Sequence, residues 1–224
     1  MQPLADLLRP QTLEEVVGQT HLTAKGRPLY QVLQNNHLHS MIFWGPPGTG
    51  KTTLARILCQ HTDSEQINIS AILSGVADIR KAIQQAELNK SQGKNTVLFV
   101  DEIHRFNKSQ QDAFLPHMEN GLINLIGATT ENPSFALNNA LLSRARVYVL
   151  KSIENNDLET VLNKGLKHYN LDLSAAYKDR VIHSADGDAR RLLTIIEIIS
   201  DLADGSHLTA VSYTHLTLPT TPYV

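Results

Sequence analysis

Cys59 is the only cysteine among the 224 residues, so no internal disulfide can form and the fold must rest on its own apolar core. An excess of one charge is missing as well. Lysine and arginine number 20 against 22 aspartates and glutamates, a formal net charge of −2, which excludes a basic footprint spread over the whole surface. Contact with DNA would have to use a local patch. No run approaches the roughly 18 consecutive apolar residues of a membrane span. Nor does any N-terminal segment join basic residues to a long apolar stretch, so a cytoplasmic setting with no membrane partner is expected. The ten histidines are scattered, and even His37 and His39 lack partners at metal-ligand spacing. No interleaving of aromatic and basic residues marks a groove for single strands.

Hydrophobic residues make up 42% and charged residues 19%, the balance of an ordinary globular chain long enough for one large domain with a small appendage. Short apolar runs alternate with amphipathic stretches, the pattern of a parallel sheet with crossover helices. Strands are predicted at Met41–Trp44, Gln66–Ser70, Thr96–Val100, Leu122–Ala128 and Val147–Leu150. Helices are predicted through Leu54 to Leu58, through Val76 to Ala86, and from Ser109 toward Gly121, the last made irregular by Pro116. After Leu150 the strand signal stops and three helical patterns follow. The first opens at Asn156 with Glu159 three residues on; the last opens near Asp188, carries Leu192, Ile196, Ile199 and Ala203, and stops at Gly205.

Gly45-Pro46-Pro47-Gly48-Thr49-Gly50-Lys51-Thr52 fits G-x-x-x-x-G-K-[ST] between a predicted strand and a predicted helix. Glycines let successive backbone N–H groups turn inward on phosphate oxygens at the positive end of the following helix. Lys51 supplies a cation for the β- and γ-phosphates, and Thr52 offers its hydroxyl to Mg²⁺. The residues expected to hold ATP are thus Gly45, Pro46, Pro47, Gly48, Thr49, Gly50, Lys51, Thr52 and the adjoining Thr53. Thr96–Val100 then delivers Asp101 and Glu102 at its C-terminal end, where ligands of open α/β sheets bind. Asp101 is expected to join the Mg²⁺ shell. Glu102 is expected to take the proton from, or orient, the water that attacks the γ-phosphate.

G-P-P-G-T-G-K-T with L-F-V-D-E-I-H resembles the AAA+ ATPases. The runs Arg105–Pro116, Gly127–Phe135 and Leu141–Val147 narrow the resemblance to the RarA (MgsA) family, clamp-loader-like AAA+ proteins that are bacterial relatives of the Werner-helicase-interacting protein. It spans about Leu4 to Asp204. The resemblance implies that Thr130, or Asn132 in its place, is a polar sensor of the attacking water or γ-phosphate. It implies that Arg144, with Arg146 as the alternative, reaches the nucleotide of a neighbouring subunit, so that a lone monomer hydrolyses poorly. Arg190, in Gly187-Asp188-Ala189-Arg190-Arg191, would reach the γ-phosphate of its own subunit, and Val17 and Gly18 would pack on the adenine side.

The implied architecture is a five-stranded parallel AAA+ sheet flanked by helices over residues 1–150, a small all-helical lid over 151–205, and a tail. The implied function is DNA-dependent ATP hydrolysis in replication-fork maintenance, recombination and repair. Its implied setting is a homo-oligomer, tetramer or ring, near the nucleoid, on DNA with single-stranded regions or ends and in contact with single-strand-binding protein. A clamp-loader subunit or RuvB-like branch-migration motor shares this chemistry, and a nucleotide-dependent scaffold without turnover is a third reading. The family's C-terminal half has no counterpart here. Residues 211–224 read VSYTHLTLPTTPYV, uncharged and threonine-rich, and resemble translated adapter or vector sequence; an ordinary terminus is the alternative.

Overall fold

The computed structural model describes residues 2–202; the predicted helix stop at Gly205 and the tail lie outside the described residues. In chain order the elements are α1 (Leu4–Leu7), α2 (Thr20–Thr23), α3 (Pro28–Gln34), β1 (Met41–Trp44), α4 (Lys51–His61), β2 (Glu65–Ser70) and α5 (Val76–Ser91). There follow β3 (Thr96–Asp101), α6 (Lys108–Asp112), α7 (Leu115–Glu119), β4 (Asn124–Thr129), α8 (Pro133–Ala136), α9 (Asn139–Leu142) and β5 (Arg146–Val149). The chain then continues through α10 (Asn155–Tyr169), α11 (Ala175–Ala185) and α12 (Ala189–Leu202). Contacts divide it into two units, Pro10–Ser152 and a helical unit of Ile153 onward with the first nine residues.

In the first unit all five strands are parallel and lie in the order β2-β3-β4-β1-β5. The strands of a parallel sheet covered on both faces read as near-continuous apolar runs, and β1, β3 and β4 do so between polar residues at the ends of β3 and β4. Successive side chains alternate between faces. Met41 and Phe43 of β1, Val97 and Phe99 of β3, and Ile126 and Ala128 of β4 enter one core with Leu54, Ala55, Leu58 and Cys59 of α4. Ile42, Leu98, Val100 and Leu125 enter the other with Ile79, Ile83 and Ala86 of α5. Gly127 lies where a Cβ would come within 2.7 Å of Ile42 Cδ1 and 3.0 Å of Ile103 Cδ1, so the second core closes over β4 without a side chain there.

Several helix boundaries differ from the sequence expectation, one of them through capping. The helix expected to open at Ser109 is capped two residues earlier, by Asn107. Its Oδ1 accepts from Gln110 N–H at 2.9 Å while Gln110 Oε1 accepts from Asn107 N–H at 3.0 Å, a reciprocal capping box. The same stretch splits into α6 and α7, with Pro116 in the first turn of the second, where its missing N–H costs nothing. The helix expected to open at Asn156 opens at Asn155 instead, after Glu154. Asp101 and Thr129 extend β3 and β4 beyond their predicted ends, and β5 runs over Arg146–Val149, one residue earlier than expected.

In the helical unit α10, α11 and α12 pack together. Gly165 of α10 lies close against α12, since a Cβ there would stand 2.7 Å from Ile196 Cδ1. The N-terminal residues belong to this unit and not to the sheet: α1 packs on α12, and Leu4 N–H donates to Glu197 Oε1 at 2.7 Å. Among the described residues no helix is long and apolar enough to cross a membrane.

Cys59 is buried in the core under α4, and burial pushes its thiol up to about 12. Because the thiolate is the reactive form, the native chain at pH 8 is expected to react with a disulfide reagent only as fast as it unfolds. Adding urea to the unfolding midpoint should raise that rate steeply; fast native labelling would contradict the packing.

Candidate active site

After Trp44 the chain turns sharply between two neighbours. Gly45 N–H donates to Thr129 O at 3.2 Å, and Leu150 N–H donates to Trp44 O at 2.7 Å. A Cβ on Gly45 would stand 2.4 Å from Leu150 O, a backbone atom that cannot move aside, so no other residue fits. Gly48 (φ +67°) and Gly50 (φ +99°) then take left-handed conformations open to glycine at no steric cost. They fold the loop back to the start of α4, where Gly50 is the cap and has no side chain to occupy the first-turn N–H groups. Those donors and the positive end of the 11-residue helix make an anion site.

The loop carries its own cation. Lys51, buried at the first position of α4, donates from Nζ to Gly45 O at 2.8 Å and to Pro46 O at 2.7 Å. Thr49 Oγ1 donates to Pro46 O at 2.8 Å. The half-buried Thr52 and Thr53 follow in the same turn, and Pro46 and Pro47 are both exposed. Val17 and Gly18, expected on the adenine side, are half-buried in the segment leading to α2. The residue after them holds this segment to the loop. Fully buried Gln19 accepts from Lys151 N–H at 3.0 Å, donates to Lys151 O at 2.8 Å and reaches Thr49 O at 3.5 Å. A glutamine beside a glycine carries no chemical signature in the sequence; only its partners reveal the role of Gln19.

Strand order brings the acidic residues to the same edge. Running from β1, the next strands are β4 and β3, so the C-terminal ends bearing Gly45, Thr130 and Asp101 stand side by side, roughly 4.8 Å apart per strand. Asp101 and Glu102 are each partly exposed there. Glu102 takes the left-handed conformation, φ +52°, unusual for a residue with a Cβ and found where surroundings over-determine it. Thr130 Oγ1 donates to Glu102 Oε2 at 3.5 Å. Asn132, the alternative to Thr130, is engaged elsewhere: its side chain caps α8 by accepting from Ser134 N–H at 3.0 Å. His104, which no sequence pattern singles out, lies between these groups. Its Nδ1 is 2.9 Å from Thr129 Oγ1, and its Nε2 is 3.3 Å from Glu102 Oε2 and 3.4 Å from Glu131 Oε1.

The arginines lie elsewhere. Arg146 opens β5 in register with Met41, the first residue of β1; Arg144 stands two residues before it. Both therefore lie toward the N-terminal edge of the sheet, one strand length from the loop of their own chain. Arg144 is well held at the surface, donating from Nε to Glu119 Oε1 and from Nη1 to Ala140 O, each at 2.7 Å. Arg190 is exposed in the first turn of α12, in the helical unit. Its helix is capped by Asp188, whose Oδ1 accepts from Arg191 N–H at 2.9 Å.

A buried ammonium enclosed by a glycine turn, at the junction of a central parallel strand and a helix N-terminus, places the fold in the class of P-loop nucleotide-binding domains. Residues 41–153 match the family model described as "ATPase family associated with various cellular activities (AAA)". The chain belongs to that AAA family. It is 51% identical over 210 residues to replication-associated recombination protein A of Escherichia coli strain K12, covering 91% of this chain and 47% of that protein. Identity to the protein of that name from Coxiella burnetii is 54% over 208 residues, covering 90% of this chain and 47% of that protein. ATPase WRNIP1 of Dictyostelium discoideum is 42% identical over 88% of this chain and 23% of its own length. The chain thus spans about half the length, or less, of these curated relatives. A solved structure of a Thermotoga maritima RuvB point mutant superposes with a TM-score of 0.75 at 22% identity, over 93% of this chain and 72% of that one, a likeness of fold.

Replacing Gln19 with leucine would keep its bulk and strip both Lys151 backbone groups of their partner. The expected cost is about 1–3 kcal/mol, read as a shift in the urea midpoint at unchanged slope. An unshifted midpoint would mean that the clamp contributes nothing.

Proposed function

We propose that the chain binds ATP in the Gly45–Thr53 loop and hydrolyses it as the motor portion of a DNA-acting assembly. The observation that carries this reading is the meeting of the Lys51 loop with Asp101 and Glu102 at one edge of the sheet. Lys51 would neutralise the β- and γ-phosphates, and the α4 N–H groups would bind them. A single carboxylate and a hydroxyl, Asp101 and Thr52, fit Mg²⁺, which takes few protein oxygens and completes its shell with phosphates and water. When bound, that ion would offset charge on the β- and γ-oxygens. Glu102 would orient the attacking water and accept its proton as the water oxygen bonds to the γ-phosphorus and the bond to the bridging oxygen of ADP breaks. Thr130 would hold that water or the γ-phosphate from the end of β4.

Arg144 acts on a neighbouring subunit in this reading. Its place before β5 sets it away from its own loop, and its contacts with Glu119 and Ala140 hold the guanidinium fixed at the surface, as a group presented across a boundary needs to be. Arg190 would act from the helical unit as a lid, coupling nucleotide state to movement, with Val17 and Gly18 against adenine. The relatives' names support a setting in replication-associated recombination. From the resemblance we further infer a tetramer or ring in the cytoplasm, at the nucleoid, acting on DNA with single-stranded regions or ends and in contact with single-strand-binding protein.

Lys51→Ala is expected to abolish binding of a fluorescent ATP analogue, whereas Glu102→Gln should bind it normally and hydrolyse ATP at least about 100-fold more slowly; unchanged turnover in the latter would defeat the hydrolysis reading. Arg144→Ala should also be inactive, and mixing it with Lys51→Ala should restore part of the activity, because each variant supplies what the other lacks at shared boundaries. No rescue in assemblies shown to be mixed would place Arg144 outside the neighbour's site.

A further inference from the structure

The environment of Glu102 contains one group that neither the phosphate loop nor the metal shell uses. His104 follows it by two residues, in the tight turn after β3 in which Arg105 N–H donates to Glu102 O at 2.8 Å. Its side chain is only 3% exposed, so its ring nitrogens face protein groups. With the proton on Nε2, the tautomer that flanking carboxylates favour, that nitrogen faces Glu102 Oε2 at 3.3 Å, and Nδ1 accepts from the Thr129 hydroxyl, 2.9 Å away. Thr129 is itself buried at the end of β4. Its Oγ1 accepts from Glu131 N–H at 3.0 Å and lies 3.2 Å from Glu131 O. The ring is thereby anchored to the sheet and not to a mobile loop.

Glu131 also approaches Nε2, at 3.4 Å, but its side chain is 60% exposed and water competes for it; Glu102, at 26%, is the more desolvated partner. The two side chains that reach the Glu102 carboxylate, His104 and Thr130, both do so at Oε2. Among the described residues Oε1 accepts no hydrogen bond. One oxygen is anchored and the other remains to accept from water, the asymmetry that a water-orienting base requires and that a base acquires from a third group holding it.

We propose that His104 is the positioning residue for Glu102: held by Thr129, it fixes Oε2 and so aims Oε1 at the attacking water. The inference rests on the hydrolysis reading above and adds to it the residue that sets the geometry of its base. Misplacing a catalytic group by about 1 Å costs on the order of 100-fold, so His104→Ala is expected to lower single-turnover hydrolysis about 10- to 100-fold while leaving nucleotide affinity unchanged. Glutamine can place an amide N–H near the position of Nε2, so His104→Gln should recover much of the loss. His104→Asn, whose amide falls short at the position of Nδ1, should not. In the Glu102→Gln background, His104→Ala should produce no further fall, because the carboxylate it positions is gone.

The test is single-turnover hydrolysis of ATP with protein in excess, beside the affinity for a fluorescent ATP analogue and the thermal midpoint of each variant. Parent-level rates in His104→Ala while Glu102→Gln is inactive would overturn the positioning role alone. Equal loss in the glutamine and asparagine variants, or a loss that follows affinity and thermal midpoint, would overturn it in favour of plain packing. If His104→Ala does not fold, the comparison of glutamine with asparagine decides by the same criteria. A parent that binds the analogue but turns over no faster than Glu102→Gln would remove the hydrolysis reading and this inference with it.

Discussion

Parallel strand pairing in the order β3-β4-β1 is the constraint from which the rest of the site descends. Strands that run one way present all their C-terminal ends at one edge, and hydrogen bonding fixes the spacing between those ends. The Lys51 loop after β1, Thr130 after β4 and the Asp101–Glu102 pair after β3 are thereby neighbours across the sheet although they are far apart in sequence. The same directionality sends Arg144 and Arg146, at the start of β5, toward the opposite edge. A polar group's place at the beginning or the end of its strand is enough to assign it to one edge or the other.

Two kinds of positive-φ residue operate at that edge. Gly48 and Gly50 adopt the left-handed region freely, and their role is to turn backbone N–H groups and the Lys51 ammonium into one concavity. Glu102 adopts it against the preference of its Cβ, and its carboxylate meets Thr130 and His104 there. Gln19 ties the loop in its own way, pairing with both backbone groups of Lys151 and so linking the segment leading to α2, the loop and the chain after β5. Buried Lys51 and Gln19 each bond to more than one backbone group of the loop and its neighbours.

The helical unit depends on different physics. It has no ladder to set its geometry; its three long helices pack on one another, with Gly165 of α10 close against Ile196 of α12. The short α1 docks on α12, so that the first nine residues and the last described helix are bound into one body despite lying at opposite ends of the chain.

Much of this was legible in the residues alone. Buried strands are continuous apolar runs, helices repeat at 3.6, and the spacing of glycines with Lys51 and Thr52 has a chemical meaning that does not wait for coordinates; five strands, the loop and the acidic pair follow from local pattern. Helix starts were less legible, since Ser109 and Asn107 are both good caps and only the reciprocal bond with Gln110 selects between them. The order of the strands, the engagement of Asn132 in capping, the clamp of Gln19 and the seat of His104 were decided by the tertiary structure. The clamp and the seat are relations between residues distant in sequence: Gln19 with Lys151, His104 with Thr129 and Glu131. A histidine or glutamine has no fixed chemistry until its partners are known, whereas a glycine turn before a lysine already restricts the backbone to a shape that binds phosphate.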